Sequence, residues 1–128
     1  MAYETIPEEL RRFILTSVAS VPHLEAVLLL RSGAESPWYV PEVARRLYMP
    51  EKAAAELLAD LHASGILERD ESTGSYRYEP PSEELRQIIE QLSEAYSKNL
   101  IGVTDLIHAK TGKKARIFAD AFKWRKEP

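Results

Sequence analysis

Pro50 constrains this chain more than any other single residue. It stands between two stretches that are each patterned as a helix, one from Pro41 to Leu47 and one from Glu51 to Leu61. Its ring drives the residue before it out of helical geometry and suits the first turn of the helix after it. The spacing therefore predicts two short helices meeting across Tyr48-Met49 in a tight turn. Val43 and Leu47, four apart, give the first helix one buried edge, with Arg45 and Arg46 facing outward. Ala54, Leu57, Leu58 and Leu61 form an i, i+3, i+4, i+7 stripe on the second, and Gly65 ends it as a left-handed cap requires.

The rest of the chain reads outward from this pair. Thr5-Ile6-Pro7-Glu8 opens a helix with apolar residues at Leu10, Phe13, Ile14, Val18 and Val21, which is expected to end at Pro22. His23 to Arg31 follows as a second helix, apolar on most sides and hence central to the core. Ser32 to Pro37 is a loop by composition, and Trp38-Tyr39-Val40 is a short run of strand formers. Ile66–Asp70 and Ser75–Glu79 flank a four-residue turn and predict a hairpin.

From Ser82 to about Lys110, Leu85, Ile89, Leu92, Tyr96, Leu100, Val103 and Ile107 recur at steps of three or four. This argues for one continuous helix roughly 43 Å long, with Gly102 as the place for a kink. Such a helix outruns a small core, so the seven residues are expected to pair with a second copy of the chain, Asn99 fixing the register.

Composition closes several routes to function. With 128 residues the chain is one domain. It has no cysteine, which removes disulfides, thiolate metal sites and Cys nucleophiles and fits a reducing compartment. The glycines at 33, 65, 74, 102 and 112 spell no phosphate-binding loop, and no G-x-S-x-G elbow occurs. His23, His62 and His108 lie in separate segments with no H-x-x-x-H pair, so they read as surface or boundary residues. No catalytic, cofactor or metal site is expected. The longest apolar run, Ala26 to Leu30, falls far short of the ~20 residues of a membrane span. The first twenty residues lack a signal-type apolar core, so a soluble, cytoplasmic protein is expected.

V-P-E-V-A-R-R-L (40–47), A-E-L-L-A-D-L-H-A-S-G-I-L (55–67) and S-Y-R-Y (75–78) together resemble the winged helix-turn-helix domain, over a core of residues 22–80. In L-x-x-L-x-x-x-G-I-L from Leu58, the leucines seat the second helix, the glycine turns the chain and Ile-Leu enters the wing. With a helix before this core and a long helix over 82–110 after it, the whole resembles dimeric regulators of the MarR/PadR type. The resemblance implies a mainly α fold with a small β-hairpin wing and a non-catalytic transcriptional regulator acting as a homodimer on duplex DNA. It implies DNA contacts from Arg45, Arg46, Lys52, Arg69 and Arg77, and dimerisation through Leu85, Ile89, Leu92, Tyr96, Leu100, Val103 and Ile107.

The charge pattern keeps an alternative open. The outward positions of the second helix, Glu51, Lys52, Ala55, Glu56, Ala59 and His62, hold one cation and two anions, whereas base readout favours Arg, Lys, Asn or Gln. Over 41–80, five basic residues stand against eight acidic ones, where phosphate binding favours a basic surplus. The alternative is a winged-helix adaptor whose acidic second helix or hairpin meets a basic protein. The C-terminal segment 111–128 is basic: between residues 110 and 126, Lys110, Lys113, Lys114, Arg116, Lys123, Arg125 and Lys126 stand against Asp120, interleaved with Phe118, Phe122 and Trp124. It is a solvated surface or free tail, a segment that docks and presents its lysines to phosphates, or a helix that covers the dimer core.

Overall fold

A computed structural model of the chain describes residues 6–109. Eight elements follow one another: α1 (Glu8–Ser17), α2 (Val21–Ser32), α3 (Val40–Arg46), α4 (Glu51–Ala63), β1 (Leu67–Arg69), β2 (Tyr76–Tyr78), α5 (Glu83–Lys98) and α6 (Leu100–Ala109). The protein is mainly helical with one small antiparallel hairpin. Among the described residues no single helix is long and apolar enough to cross a membrane. The expected Thr5 cap and the basic segment from Lys110 onward lie outside the described residues.

α2 is the hub of the core. Leu24, Ala26, Val27 and Leu30 are buried on it, in one cluster with Leu10 and Ile14 of α1, Leu58 and Leu61 of α4 and Ile89 and Leu92 of α5. Its start corrects the expectation that the first helix runs to Pro22. α1 stops at Ser17, Val18 is extended, and Ser20 caps α2 by accepting from the His23 N–H at 3.3 Å. A serine N-cap satisfies an amide that would otherwise lack a partner, and Pro22 in the first turn has no N–H to leave unpaired. At the far end, Arg31 donates from both Nε and Nη2 to the Glu90 carboxylate, tying α2 to α5, with Nε···Oε2 at 2.6 Å.

The turn between α3 and α4 is where Pro50 requires it. Tyr48 donates to the Arg45 carbonyl at 3.3 Å and Met49 to the Ala44 carbonyl at 3.0 Å, the bond pair that closes a helix through a left-handed residue. That residue is Tyr48, with φ 55°, a conformation that costs an L side chain about 1–2 kcal/mol. α4 closes through the same pair of bonds, Gly65 to His62 and Ile66 to Leu61, here with glycine at φ 90°.

The run at 38–40 does not form a strand of its own. Trp38 makes a single antiparallel bridge to Tyr76, with both bonds at 2.8 Å, and adds one residue to the edge of the hairpin. β1 and β2 are shorter than expected, paired Leu67 to Tyr78, Glu68 to Arg77 and Arg69 to Tyr76. Between them Asp70 organises the loop: its Oδ1 accepts from the Ser72 hydroxyl at 2.7 Å and the Ser72 amide at 2.9 Å.

The continuous helix over 82–110 is corrected by a break at Asn99, three residues before the glycine that was expected to kink it. Asn99 has φ −140° and ψ 61° and caps α6, its Oδ1 accepting from the Gly102 N–H at 3.0 Å. Glycine is what the cap needs, because a Cβ on residue 102 would stand 2.5–2.8 Å from the Asn99 side chain. The bend returns the last part of the apolar stripe to the chain's own core. Ile89, Leu92, Val103 and Ile107 are all buried, Leu85 and Tyr96 are partly buried, and Leu100 is exposed.

The cap makes a sign-reversing prediction. Gly102→Ala, which favours an ordinary helix interior by ~1 kcal/mol, should destabilise this protein by displacing the Asn99 side chain. In an Asn99→Ala background, which itself loses about 0.5–2 kcal/mol, the same change should stabilise. Urea unfolding of the four proteins measures both signs.

A second prediction concerns Glu90. The hydrogen bond from Arg31 holds its carboxyl below the usual glutamate range. A depressed folded pKa means the pair's contribution is complete above the unfolded value near 4.5 and disappears as pH falls through the folded one. Because the Glu90 side chain is 52% exposed, the coupling should be under about 1 kcal/mol. An Arg31→Met, Glu90→Gln double-mutant cycle should show coupling at pH 7 that vanishes in acid.

Candidate functional site

The residues expected to touch DNA fall on the pair α3 and α4 and on the hairpin that follows it. α3 is short because it must fit between the Trp38 bridge and Pro50, and its buried Val43 and Ala44 press it on the core. Arg45 and Arg46 in its last turn therefore face solvent, beside the carbonyl end of the helix, where cations are favoured. Lys52 lies exposed in the first turn of α4. Among the described residues, Arg45, Arg46, Lys52 and Arg77 make no ion pair. Arg69 makes a long one, 3.9 Å to Glu71 at the hairpin loop.

The five residues expected to touch DNA fall into two groups. Arg46 and Arg69 are brought to the two ends of one aromatic pair. The Arg46 guanidinium lies 5.7 Å from the Trp38 ring and the Arg69 guanidinium 5.9 Å from the Tyr76 ring, while Trp38 and Tyr76 are joined by the backbone bridge. Arg45, Lys52 and Arg77 have no such support. Arg77 neighbours Tyr76 in the strand and so leaves from the opposite face of the hairpin, across the ladder from Glu68. Pro37, Tyr39, Arg69, Asp70, Ser75 and Arg77 border an open groove of about 400 Å³. The Asp70 carboxyl in it is engaged by the loop, chiefly by the Ser72 hydroxyl, which lowers its pKa.

The outer side of α4 carries the charges read from the sequence: Glu51, Lys52, Glu56, Ala59 and His62 are exposed and Ala55 is half-buried. The His62 ring meets the edge of Tyr76 at 6.3 Å. Asp60 also faces outward, and there the structure shows a contact that sequence reading missed. His23 Nε2 lies 2.9 Å from Asp60 Oδ2, and His23 Nδ1 lies 2.6 Å from Ser20 Oγ.

Ser20, His23 and Asp60 thus form a hydrogen-bonded line. Ser20 Oγ accepts from the His23 amide, so its own proton is free to go to Nδ1, leaving a proton on Nε2 for the carboxylate. The His23 amide is bonded to the Ser20 hydroxyl and the Leu24 amide to the Ser20 carbonyl, so the line caps α2 and ties it to α4. The sequence reading, which ran the first helix to Pro22, missed the cap as well, although a serine two residues before a proline was a signal for it, whereas Asp60 lies 37 residues away from its partner.

Among the described residues no group of three or more His, Asp or Glu side chains could hold a metal ion. A second cavity, of about 270 Å³, lies between the start of α1 and the end of α5, with Leu10, Ala95 and Asn99 in its lining, and shares no residue with the hairpin groove. Comparison with models of known protein families finds no match, and no curated protein matches the chain.

The division of the cations predicts different stability effects. Arg46→Ala and Arg69→Ala each remove a guanidinium from a ring and should cost about 0.5–1 kcal/mol. Arg45→Ala and Arg77→Ala should stay within about 0.5 kcal/mol of wild type. Urea midpoints at constant m-value separate the two groups.

Proposed function

We propose that this chain is a cytoplasmic, non-catalytic transcriptional regulator of the winged helix-turn-helix type that acts on duplex DNA as a homodimer. The observation that carries the reading is the Trp38–Tyr76 bridge. It closes the hairpin onto the helices, so that helix, one-residue strand, helix, turn, helix and hairpin pack as one unit. On this reading α4 enters the major groove and the hairpin follows the neighbouring backbone. Arg45, Arg46 and Lys52 meet phosphates, with Arg69 and Arg77 at the wing. Among the described residues Arg45, Arg46, Lys52 and Arg77 make no ion pair and Arg69 makes only the long one to Glu71, which supports the assignment.

The homodimer then uses what the stripe leaves accessible: Leu85, Tyr96 and Leu100, with Ile101 beside them, 58% exposed. A chain that sediments as a monomer at tens of micromolar would remove this part of the proposal.

The acidic outer face of α4 supports a second reading, a winged-helix adaptor whose partner is a basic protein. One titration decides between them. If duplex DNA is the partner, affinity falls steeply with salt because phosphate contacts release counterions. Arg45→Ala, at an exposed residue with no ion pair or ring contact among the described residues, should weaken binding to every sequence and shallow the salt slope by about one unit per protomer. Glu56→Gln should tighten binding by removing a negative charge from the phosphate-facing side. Fluorescence anisotropy at low and physiological salt measures all three, and a wild type that fails to bind duplex at low salt favours the adaptor.

A further inference from the structure

We infer that Tyr48 is a backbone contact of this interface, its phenol donating a hydrogen bond to a phosphodiester oxygen between the cations Arg45 and Lys52. The inference rests on the duplex-DNA reading and adds a residue to it that is neither basic nor part of the resemblance.

Two observations single Tyr48 out. It is the one non-glycine residue with positive φ among the described residues, and it is 95% exposed, so its ring gains almost nothing from packing. A bulky side chain in the left-handed region is a conformational cost with no return inside the fold, and such outliers gather where a side chain meets a ligand or partner. The chain supplies its own comparison. α4 ends through the same bond pair and places glycine, Gly65, at the corresponding position.

The turn also fixes the direction in which the side chain leaves the backbone. The Tyr48 and Met49 amides are both bonded back to α3, and Pro50 follows one residue later, so the Cα–Cβ direction of Tyr48 is set by backbone on each side. Arg45 precedes it by three residues and Lys52 follows it by four. Both are exposed, and neither has an ion pair among the described residues. An exposed phenol at the turn that separates these two cations in the chain has the chemistry of a phosphate ligand: it is an O–H donor that no packing or hydrogen bond among the described residues engages. Stacking on a base would need an unpaired strand, which nothing at this turn favours.

Neutrality gives the contact a signature that a cation lacks. The full chain, with Tyr48→Phe, Tyr48→Gly and Arg45→Ala variants, is titrated into labelled random-sequence duplex across a salt series, and each protein is melted without DNA. Tyr48→Phe should lose about three- to tenfold in affinity on every sequence, the range of one hydrogen bond, with the salt slope unchanged because no counterion site is removed. It should melt like wild type. Tyr48→Gly should lose at least as much affinity while its melting temperature rises. Arg45→Ala, by contrast, should shallow the slope.

If wild type binds, Arg45→Ala weakens it and Tyr48→Phe binds like wild type, the Tyr48 contact is overturned and the DNA reading stands. If wild type does not bind duplex at low salt, both are overturned. A Tyr48→Phe effect that appears only as a changed salt slope also overturns the contact.

Discussion

The packing of Trp38 is the constraint on which the rest of the structure depends. Its backbone bonds Tyr76, its Nε1 donates to the Gly33 carbonyl at 3.0 Å, and its ring lies so close to Gly33 that a Cβ there would stand 2.8 Å from it. One residue thereby fixes the end of α2, the start of α3 and the edge of the hairpin. Glycine at position 33 is a steric requirement of that packing, since its φ of −122° is open to any residue. With Arg46 laid over the outer side of the indole, the last turn of α3 is tied to the same point, and the α3–α4 pair cannot pivot freely against the hairpin.

Local chemistry was legible in the sequence wherever one residue dictates its own backbone. Pro50 separated α3 from α4 and Gly65 ended α4, because a pyrrolidine ring and a missing Cβ act on φ and ψ directly. Periodicity was less reliable. The stripe from Leu85 to Ile107 keeps its step across Asn99, so the pattern gave no sign of a break there. The signal lay in an asparagine followed three residues later by a glycine, an N-cap with room made for its side chain, and hydrophobic spacing overrode it. The first helix boundary failed for the same reason, since Val21 continues the apolar spacing although Ser20 is a better helix start. Contacts between distant segments, His23 with Asp60 and Arg31 with Glu90, had no sequence signature, because the partners stand 37 and 59 residues apart and no local pattern joins them.

Of the candidate interface, the sequence held the identities but not the grouping. The five basic residues were visible, as was the acidic outer side of α4. That Arg46 and Arg69 are laid over aromatic rings depends on a one-residue bridge, which no strand pattern announces. Tyr48 shows the opposite case. Its position before Met49-Pro50 marked it as a turn residue, yet only the backbone shows that the turn is left-handed and closes on a tyrosine.

The break at Asn99 changes what the C-terminal stripe does. Carried straight on, a helix from Leu85 through Ile107 would project an apolar line past the core and leave it to a second chain. The capped bend instead lets Val103 and Ile107 join Ile89 and Leu92 inside the protomer, and the stripe is divided between internal packing and the surface. What stays outside is the first turn of α6. Leu100 and Ile101 there are 53% and 58% exposed, directly after the cap. Because each is already nearly half covered, burying the rest of the two side chains is worth only about 1–1.5 kcal/mol for each, roughly half of what full burial of an exposed side chain gives, which is small beside the cost of associating two proteins. A second copy meeting this turn must therefore recruit the partly buried Leu85 and Tyr96 on α5 as well. Those residues lie on the other side of the Asn99 break, so a contact that uses both helices depends on the cap that sets how α6 leaves α5.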